Sequence, residues 1–429
     1  MLFFEWLKGK LEIDLAYFIK GGAWVSFANI FNLSFSILSG LVLVNFLSVN
    51  SYGTYQFILS LAGLFQIFLF NGLDDAVVQA VARGEEGALK KSAVFRLRWG
   101  LIFFTTTINI IAGYYLWKNN WPIAISLIGV SLFFPLFRSF GIYQSYILGK
   151  KDFKTGFLYF SIAQIFTITA TIIAVLLSDN LAVIFWVSGL SNAAIQFLFF
   201  KLTLNKFKPS AIGGEECIAY GKKLTLMSVF GDLIKYFDIL LLFNVWGAAI
   251  LAQYTVAQAI PVFIYVFLKS MITIFIPKLS PMSLKTIDRF FYKKFLQLFA
   301  FNSLIGIAYA FAAPFIFSTV YKNYLGIVYY SQLLAIDLSL SLPAGLLSSV
   351  FVSHKLIKAS YISQFLGSGI RFLLYLAFGV VGGLSGMITA FILSRLINVA
   401  LNIGLWEHHK LQTIYKQSLT TFLCEKNLK

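Results

Sequence analysis

Histidine occurs three times and cysteine twice in 429 residues, and these scarcities remove several chemistries at once. The neighbours His408 and His409 would point about 100° apart on a helix, a poor chelate, and His354 stands alone. No metal-ligand spacing and no glycine-rich nucleotide loop occurs, so neither a metal site nor a cofactor is expected. Cys217 and Cys424 cannot build a disulfide framework, and both fall in polar stretches expected in the cytoplasm, where they read as reduced, inert surface thiols.

Charge is the next shortage. Only 12% of residues are Asp, Glu, Lys or Arg, against roughly 25% in a soluble domain. No stretch longer than about 25 residues reads as a polar exterior, which excludes a chain of soluble domains. The first twenty residues lack an uninterrupted apolar core and a small-residue cleavage site, so 1–20 read as an interfacial amphipathic segment rather than a cleaved signal.

What is present in abundance is apolar: 59% of residues are hydrophobic and mean hydropathy is +0.82. A spanning helix needs about 20 apolar residues, and the runs here are long and apolar on every face, whereas a spanning strand needs strict alternation. The chain reads as an all-α polytopic membrane protein. Twelve segments are expected, at 21–47, 53–78, 94–117, 121–148, 156–177, 181–203, 224–247, 250–277, 295–320, 325–353, 359–380 and 383–406. The connections alternate between basic and nearly uncharged. The two ends and the even-numbered connections, with their flanks, hold 27 of the 34 Lys and Arg, while the odd-numbered ones hold only Lys118 and Lys322. That split puts both termini in the cytoplasm and accounts for most of the +17 charge, which therefore does not point to nucleic acid. Short outer connections, with Asp179 their only acid, argue against a glycan polymerase or glycosyltransferase, which needs a sizeable outer catalytic loop.

A basic loop at 204–223 with Pro209, Gly213 and Gly214 divides the chain into lobes 21–203 and 224–406, leaving a cytoplasmic tail at 407–429. An offset of 199 superposes Asn45 on Asn244 and Tyr55 on Tyr254; an offset of 204 superposes Lys151 on Lys355 and Lys154 on Lys358. These matches fit two six-helix halves running the same way.

Charges inside apolar segments are costly and usually face a cavity or a partner. Five cations remain there: Arg138, Lys235, Lys269, Arg371 and Arg395. Asp232, Asp238 and Asp337 are the deep acids, and Asp74 and Asp75 fall near the cytoplasmic end of the second segment. Arg371 and Arg395 each stand twelve residues from Gly383, about 18 Å along their helices, hence at one depth. Two forks at one level can bracket a diphosphate, or each Arg can pair with an acid such as Asp337. Asp232, Lys235 and Asp238, spaced i, i+3, i+6, can form an intrahelical ion pair or supply a coupling-ion site. Arg138 and Lys269 lie nearer the cytoplasmic end, where they either snorkel or line a vestibule. The first segment adds a polar stripe of Asn29, Asn32, Ser36 and Ser39.

Asn45-Phe46-Leu47, Tyr52-Gly53-Thr54-Tyr55 and Asn71-Gly72-Leu73 with Ala76 and Arg83 resemble the opening two helices of the polysaccharide transporters. These are the Wzx-type lipid-linked oligosaccharide flippases of the multidrug/oligosaccharidyl-lipid/polysaccharide exporter superfamily. Tyr146-Ile147-Leu148-Gly149-Lys150-Lys151-Asp152-Phe153 is similar to that family's basic loop after helix four. The resemblance implies two six-helix bundles forming a V around a central cavity, and no enzyme. It implies transport of an undecaprenyl-diphosphate-linked repeat unit, O-antigen or another surface polysaccharide, to the outer leaflet of a bacterial inner membrane. An ion gradient (H+ or Na+) or the membrane potential would drive it, and other polysaccharide-assembly membrane proteins would be partners. On this view Arg371, Arg395, Arg138, Lys269, Lys235, Asn29 and Asn32 serve diphosphate and glycan, and Asp232, Asp238 and Asp337 serve coupling or charge pairing. The drug-exporting branch commonly has an acid in the first helix; 21–47 has none. Drug export remains the alternative, with a glycan polymerase or transferase behind it.

Overall fold

The computed structural model describes residues 31, 34–272, 282, 284–354 and 356–426, with side chains left aside at 230, 269–272, 284–285, 357 and 411–426. Among the described residues nine helices are long and apolar enough to cross a membrane, and Ser34–Phe46 is a shorter apolar helix, α1. The next elements are α2 (Val49–Leu69), α3 (Leu73–Ala82), α4 (Ala88–Trp117), α5 (Trp121–Gly149), α6 (Phe153–Leu177) and α7 (Leu181–Phe207). They are followed by α8 (Glu215–Ile272), α9 (Leu284–Val320), α10 (Val328–Leu333), α11 (Ala335–Ser353), α12 (Ile357–Leu374) and α13 (Val380–Lys426).

Two of the long helices are hairpins. Tyr254 donates to Asp238 at 2.8 Å although sixteen residues separate them, a distance of about 24 Å along a straight helix. The turn is Gly247, whose φ of 83° and ψ of 178° suit glycine alone. Likewise α12 continues through a π turn at Tyr375–Gly379, and the chain reverses at Gly383 (φ 53°), so that Arg371 lies over the Phe391 ring. Counting both arms of each hairpin gives eleven spans among the described residues, with α1 at the place of the remaining expected segment. The second expected segment departs from a single helix. It ends at Phe70, which takes a left-handed conformation (φ 51°), and Asn71-Gly72 start the separate helix α3.

The chain divides into two compact units, residues 1–232 and 233–429. In unit 1, α5 and α7 interlock through small residues, the way helices pack when lipid removes the hydrophobic incentive to associate. Gly129 receives Trp186 and Gly189 receives Phe133, leaving no room for a Cβ at either glycine. The Trp186 indole also donates to the Ile125 carbonyl at 3.1 Å. Three connections meet at one end of this unit: Glu86 accepts from Lys150, Tyr146 and the Ser210 amide, and Lys206 reaches Asp152 at 3.0 Å. The start of α8 belongs to the same unit. Gly72 packs so closely on Gly221 and Leu224 that a Cβ would clash, and its amide donates to Thr225.

In unit 2, α9 and α11 are joined by Asn302, buried and donating to the Leu338 carbonyl and Ser341. The two halves repeat one local device: the amides of Asn45 and Asn244 each donate to the carbonyl four residues earlier, Leu41 and Leu240. Cys217 corrects the expectation of a surface thiol. It is 1% exposed in the core of unit 1 with Sγ 3.7 Å from the Ser92 hydroxyl, and burial raises its pKa.

Candidate functional site

Polar groups inside unit 1 collect around the break between α2 and α3. Arg96, 1% exposed, donates Nη1 to Asp74 (2.8 Å) and to the Arg138 carbonyl (3.0 Å), and Nη2 to the Phe70 carbonyl (3.2 Å). Phe70 has turned out of the helical path, and its carbonyl accepts from both the Leu73 amide and Arg96. The second oxygen of Asp74 accepts from Arg138 Nη2 at 3.2 Å, and Asn71 accepts from the same nitrogen at 3.0 Å. One carboxylate thus bridges two guanidinium groups, leaving one positive charge in surplus.

Arg138 is also the edge of a cavity of about 430 Å³. The other polar walls are Asp74, Gln144, Ser145, Gln164, Asn192 and Gln196, and Phe137 and Phe160 contribute rings. Gln196 Oε1 and Arg138 Nε are buried without a hydrogen-bond partner among the described residues. Four amides offer donors and acceptors together, as hydroxyl-rich ligands require. The cavity is lined from α3, α5, α6 and α7, so four helices fix its shape.

Unit 2 holds the other interior charges except Asp232, the last residue of unit 1. Arg395 meets Asp337 two-pronged, Nε to Oδ1 at 2.6 Å and Nη2 to Oδ2 at 3.3 Å, and its guanidinium lies 5.4 Å from the Tyr265 ring centroid. Arg371 stands 5.5 Å from the centroid of Phe391, a residue one helical turn nearer Gly383 than Arg395, and its fork makes no hydrogen bond among the described residues. Asp238 is 8% exposed and accepts from Tyr254 and from the Ile239 amide. Asp232 accepts from Ser228, and Lys235 is exposed beside the Tyr236 ring. No ion pair joins Asp232, Lys235 and Asp238 among the described residues. Asn29, Asn32 and the Lys269 side chain lie outside the described residues. Among the described residues no group of three or more His, Cys, Asp or Glu could hold a metal ion.

The expected site residues therefore separate. Arg138 reaches a cavity, Arg395 and Asp337 pair with each other, and Arg371 and Asp238 interact electrostatically without a direct ion pair. Arg96 and the amides of α5, α6 and α7 were not expected. Arg96 reads as a loop flank only while the third segment is begun at 94; α4 begins at Ala88, which sinks Arg96 by two turns. The amides had no local signal, because each stands alone on its own helix.

With this arrangement of hairpins and units the chain is a multi-pass membrane protein with the fold of the MOP superfamily transporters. It is similar to a multidrug resistance MATE family transporter of that superfamily in an inward-facing conformation, at 15% identity and TM-score 0.60, covering 90% of this chain and 96% of the other. A MATE in complex with MaD5 matches at 13% identity and TM-score 0.63, covering 92% and 97%. A MOP superfamily transporter from Pyrococcus furiosus, described by the reverse polarity of its binding pocket, matches at 14% identity and TM-score 0.57, covering 91% and 95%. The family described as polysaccharide biosynthesis protein matches residues 42–328, and the chain belongs to it. No curated protein matches the sequence.

Proposed function

We propose that this protein is a flippase, moving an undecaprenyl-diphosphate-linked oligosaccharide from the cytoplasmic to the outer leaflet of a bacterial inner membrane by alternating access. The observation that carries the reading is the cavity of unit 1, where four amides and two rings stand beside the Asp74, Arg96 and Arg138 cluster, which carries one surplus positive charge, inside a membrane-spanning bundle. Gln144, Gln164, Asn192 and Gln196 exchange hydrogen bonds with sugar hydroxyls, Phe137 and Phe160 cover the apolar faces of sugar rings, and Arg138 turns its free edge to an anionic group. Membership of the polysaccharide biosynthesis family supports a glycan as the cargo. The prenyl tail has no need of a protein pocket, because it can remain in lipid.

Arg371, with its fork unengaged among the described residues, is the second cation we assign to phosphate. Asn29, Asn32, Lys235 and Lys269 keep the substrate role that their positions in the sequence imply. Asp238, a buried carboxylate that accepts from the Tyr254 hydroxyl and feels Arg371 electrostatically without an ion pair at contact distance, is assigned to coupling with H+ or Na+. Asp232 retains a coupling role as the acid nearest to it on α8. Both termini, the linker 204–223 and the tail 407–429 belong to the cytoplasmic side on the charge asymmetry.

Export of an organic cation would favour a cavity with acid in surplus; here one Asp74 faces Arg96 and Arg138. The test is deletion of the gene followed by analysis of the lipid-linked intermediates. A completed repeat unit should build up on its carrier, and Arg138→Gln should fail to clear it. Precursors that reach the outer leaflet and stay unpolymerised would point to a polymerase instead.

A further inference from the structure

A second concavity in unit 1, of about 480 Å³, lies between the first turns of α4 and the start of α8. Lys90, Val94 and Arg98 form one i, i+4 stripe of α4, and Lys91, Phe95 and Trp99 form the stripe beside it. Glu215 and Ile218 of α8 close the other wall. Lys91 is neutralised by Glu215 and also donates to the Gly213 carbonyl at 2.8 Å. Lys222 of α8 holds its ammonium 4.8 Å from the Phe95 centroid and 5.7 Å from that of Trp99. Lys90 and Arg98 are exposed and make no ion pair or hydrogen bond among the described residues. Three cations are therefore left without a counter-charge around an aromatic wall.

The apolar surface continues from this wall along α4. Val94, Leu101, Ile102 and Phe103 are 47%, 41%, 60% and 41% exposed, on a helix that is itself a membrane span. A ligand that satisfies both parts needs a compact anion joined to hydrocarbon chains. The same helix carries its cations at the end of the unit where the basic connections meet, the side on which anionic lipids attract Lys and Arg.

We propose that this groove is a binding site for the headgroup of an anionic glycerophospholipid. The phosphodiester sits between Arg98, Lys90 and Lys222; the acyl chains run along Val94, Ile102 and Phe103. Arg98 supplies a planar fork for two phosphate oxygens, and the Phe95 and Trp99 rings hold the Lys222 ammonium where it completes the cage. The site is separate from the amide-lined cavity and does not depend on its role.

The full-length protein in mild detergent can be examined by native mass spectrometry with added phosphatidylglycerol or phosphatidylethanolamine of matched chains. The wild type should retain phosphatidylglycerol preferentially. Arg98→Gln combined with Lys222→Gln should lower that retention on the order of tenfold and remove the preference. Lys201→Gln, which removes a cation over Phe197 on α7, should change nothing. If the double variant does not fold, Lys90→Gln and Arg98→Gln singly should each show a partial loss. Equal retention of the two lipids by the wild type would overturn the proposal, as would unchanged retention in the variants. Displacement of phosphatidylglycerol by equimolar undecaprenyl phosphate would also overturn it, giving the groove to the carrier.

Discussion

Arg395→Ala is the perturbation with the clearest expected size. The Asp337 side chain is 9% exposed and its two oxygens receive Nε and Nη2 of Arg395, so the substitution leaves a carboxylate buried without its counter-charge. Breaking a buried pair from one side costs about 3–5 kcal/mol, roughly two to nearly four orders of magnitude in the folded to unfolded ratio. Adding Asp337→Asn removes the stranded charge. What remains is the lost contact with Tyr265 and the lost packing of the arginine stem, about 1–2 kcal/mol. The double variant should therefore be more stable than Arg395→Ala alone. Monodisperse yield and thermal melting in detergent, read for the wild type, both single variants and the double variant, give the coupling. A single Arg395→Ala as stable as the wild type would refute the reasoning, and so would a double variant no better than the single. Restored polysaccharide export in the double variant would further show that Arg395 acts on Asp337 and not on phosphate.

Arg96→Met leaves the Phe70 carbonyl with the Leu73 amide alone and Asp74 with Arg138 alone; a loss of about 3 kcal/mol is expected, visible as a lower melting temperature. Gly247→Ala meets no atom within 4 Å yet forces a side chain into a glycine-only conformation, so it should cost about 1–3 kcal/mol. Gly404→Ala, in open space on a helix, should be neutral or stabilising in the same melt. Lys150, followed by the Ser210 amide, holds the Glu86 carboxyl below its ordinary value of 4.5. A lowered carboxylate pKa gives stability that is complete above pH 4.5 and lost as pH falls through the lowered value. Proteolysis near residues 208–214 should therefore increase only below pH 4.5, and Glu86→Gln should abolish that dependence.

Much of the fold could be read from the sequence because membrane spans obey two strong rules, length of apolar run and alternation of basic connections. Both hairpin turns fell where the expected segments break, beside Gly247 and Gly383. The interruption at Phe70 was harder. Asn71-Gly72 is a turn signal, but apolar residues resume after Asp74-Asp75, and hydropathy cannot distinguish one helix from two in line. At the candidate site, charge made Arg138, Arg371 and Arg395 visible, because a charge inside an apolar run is conspicuous. It could not say which of them already has a partner. Arg395 and Asp337 are 58 residues apart, and only the packing of α13 on α11 joins them. Gln144, Gln164, Asn192 and Gln196 carry no charge and share no motif; three-dimensional convergence alone makes them a cavity.

Translocation of a lipid-linked glycan is measured directly by reconstitution. The purified protein is placed in proteoliposomes carrying a short-chain undecaprenyl-diphosphate oligosaccharide, an ion gradient is imposed, and the glycan exposed on each face is counted with an impermeant glycan-cleaving enzyme. Glycan should move between leaflets in liposomes with the wild-type protein and stay in place with Arg138→Gln, which removes the cation from the cavity wall. Leaflet distribution identical to protein-free liposomes, or new glycosidic bonds formed without movement, would contradict the account.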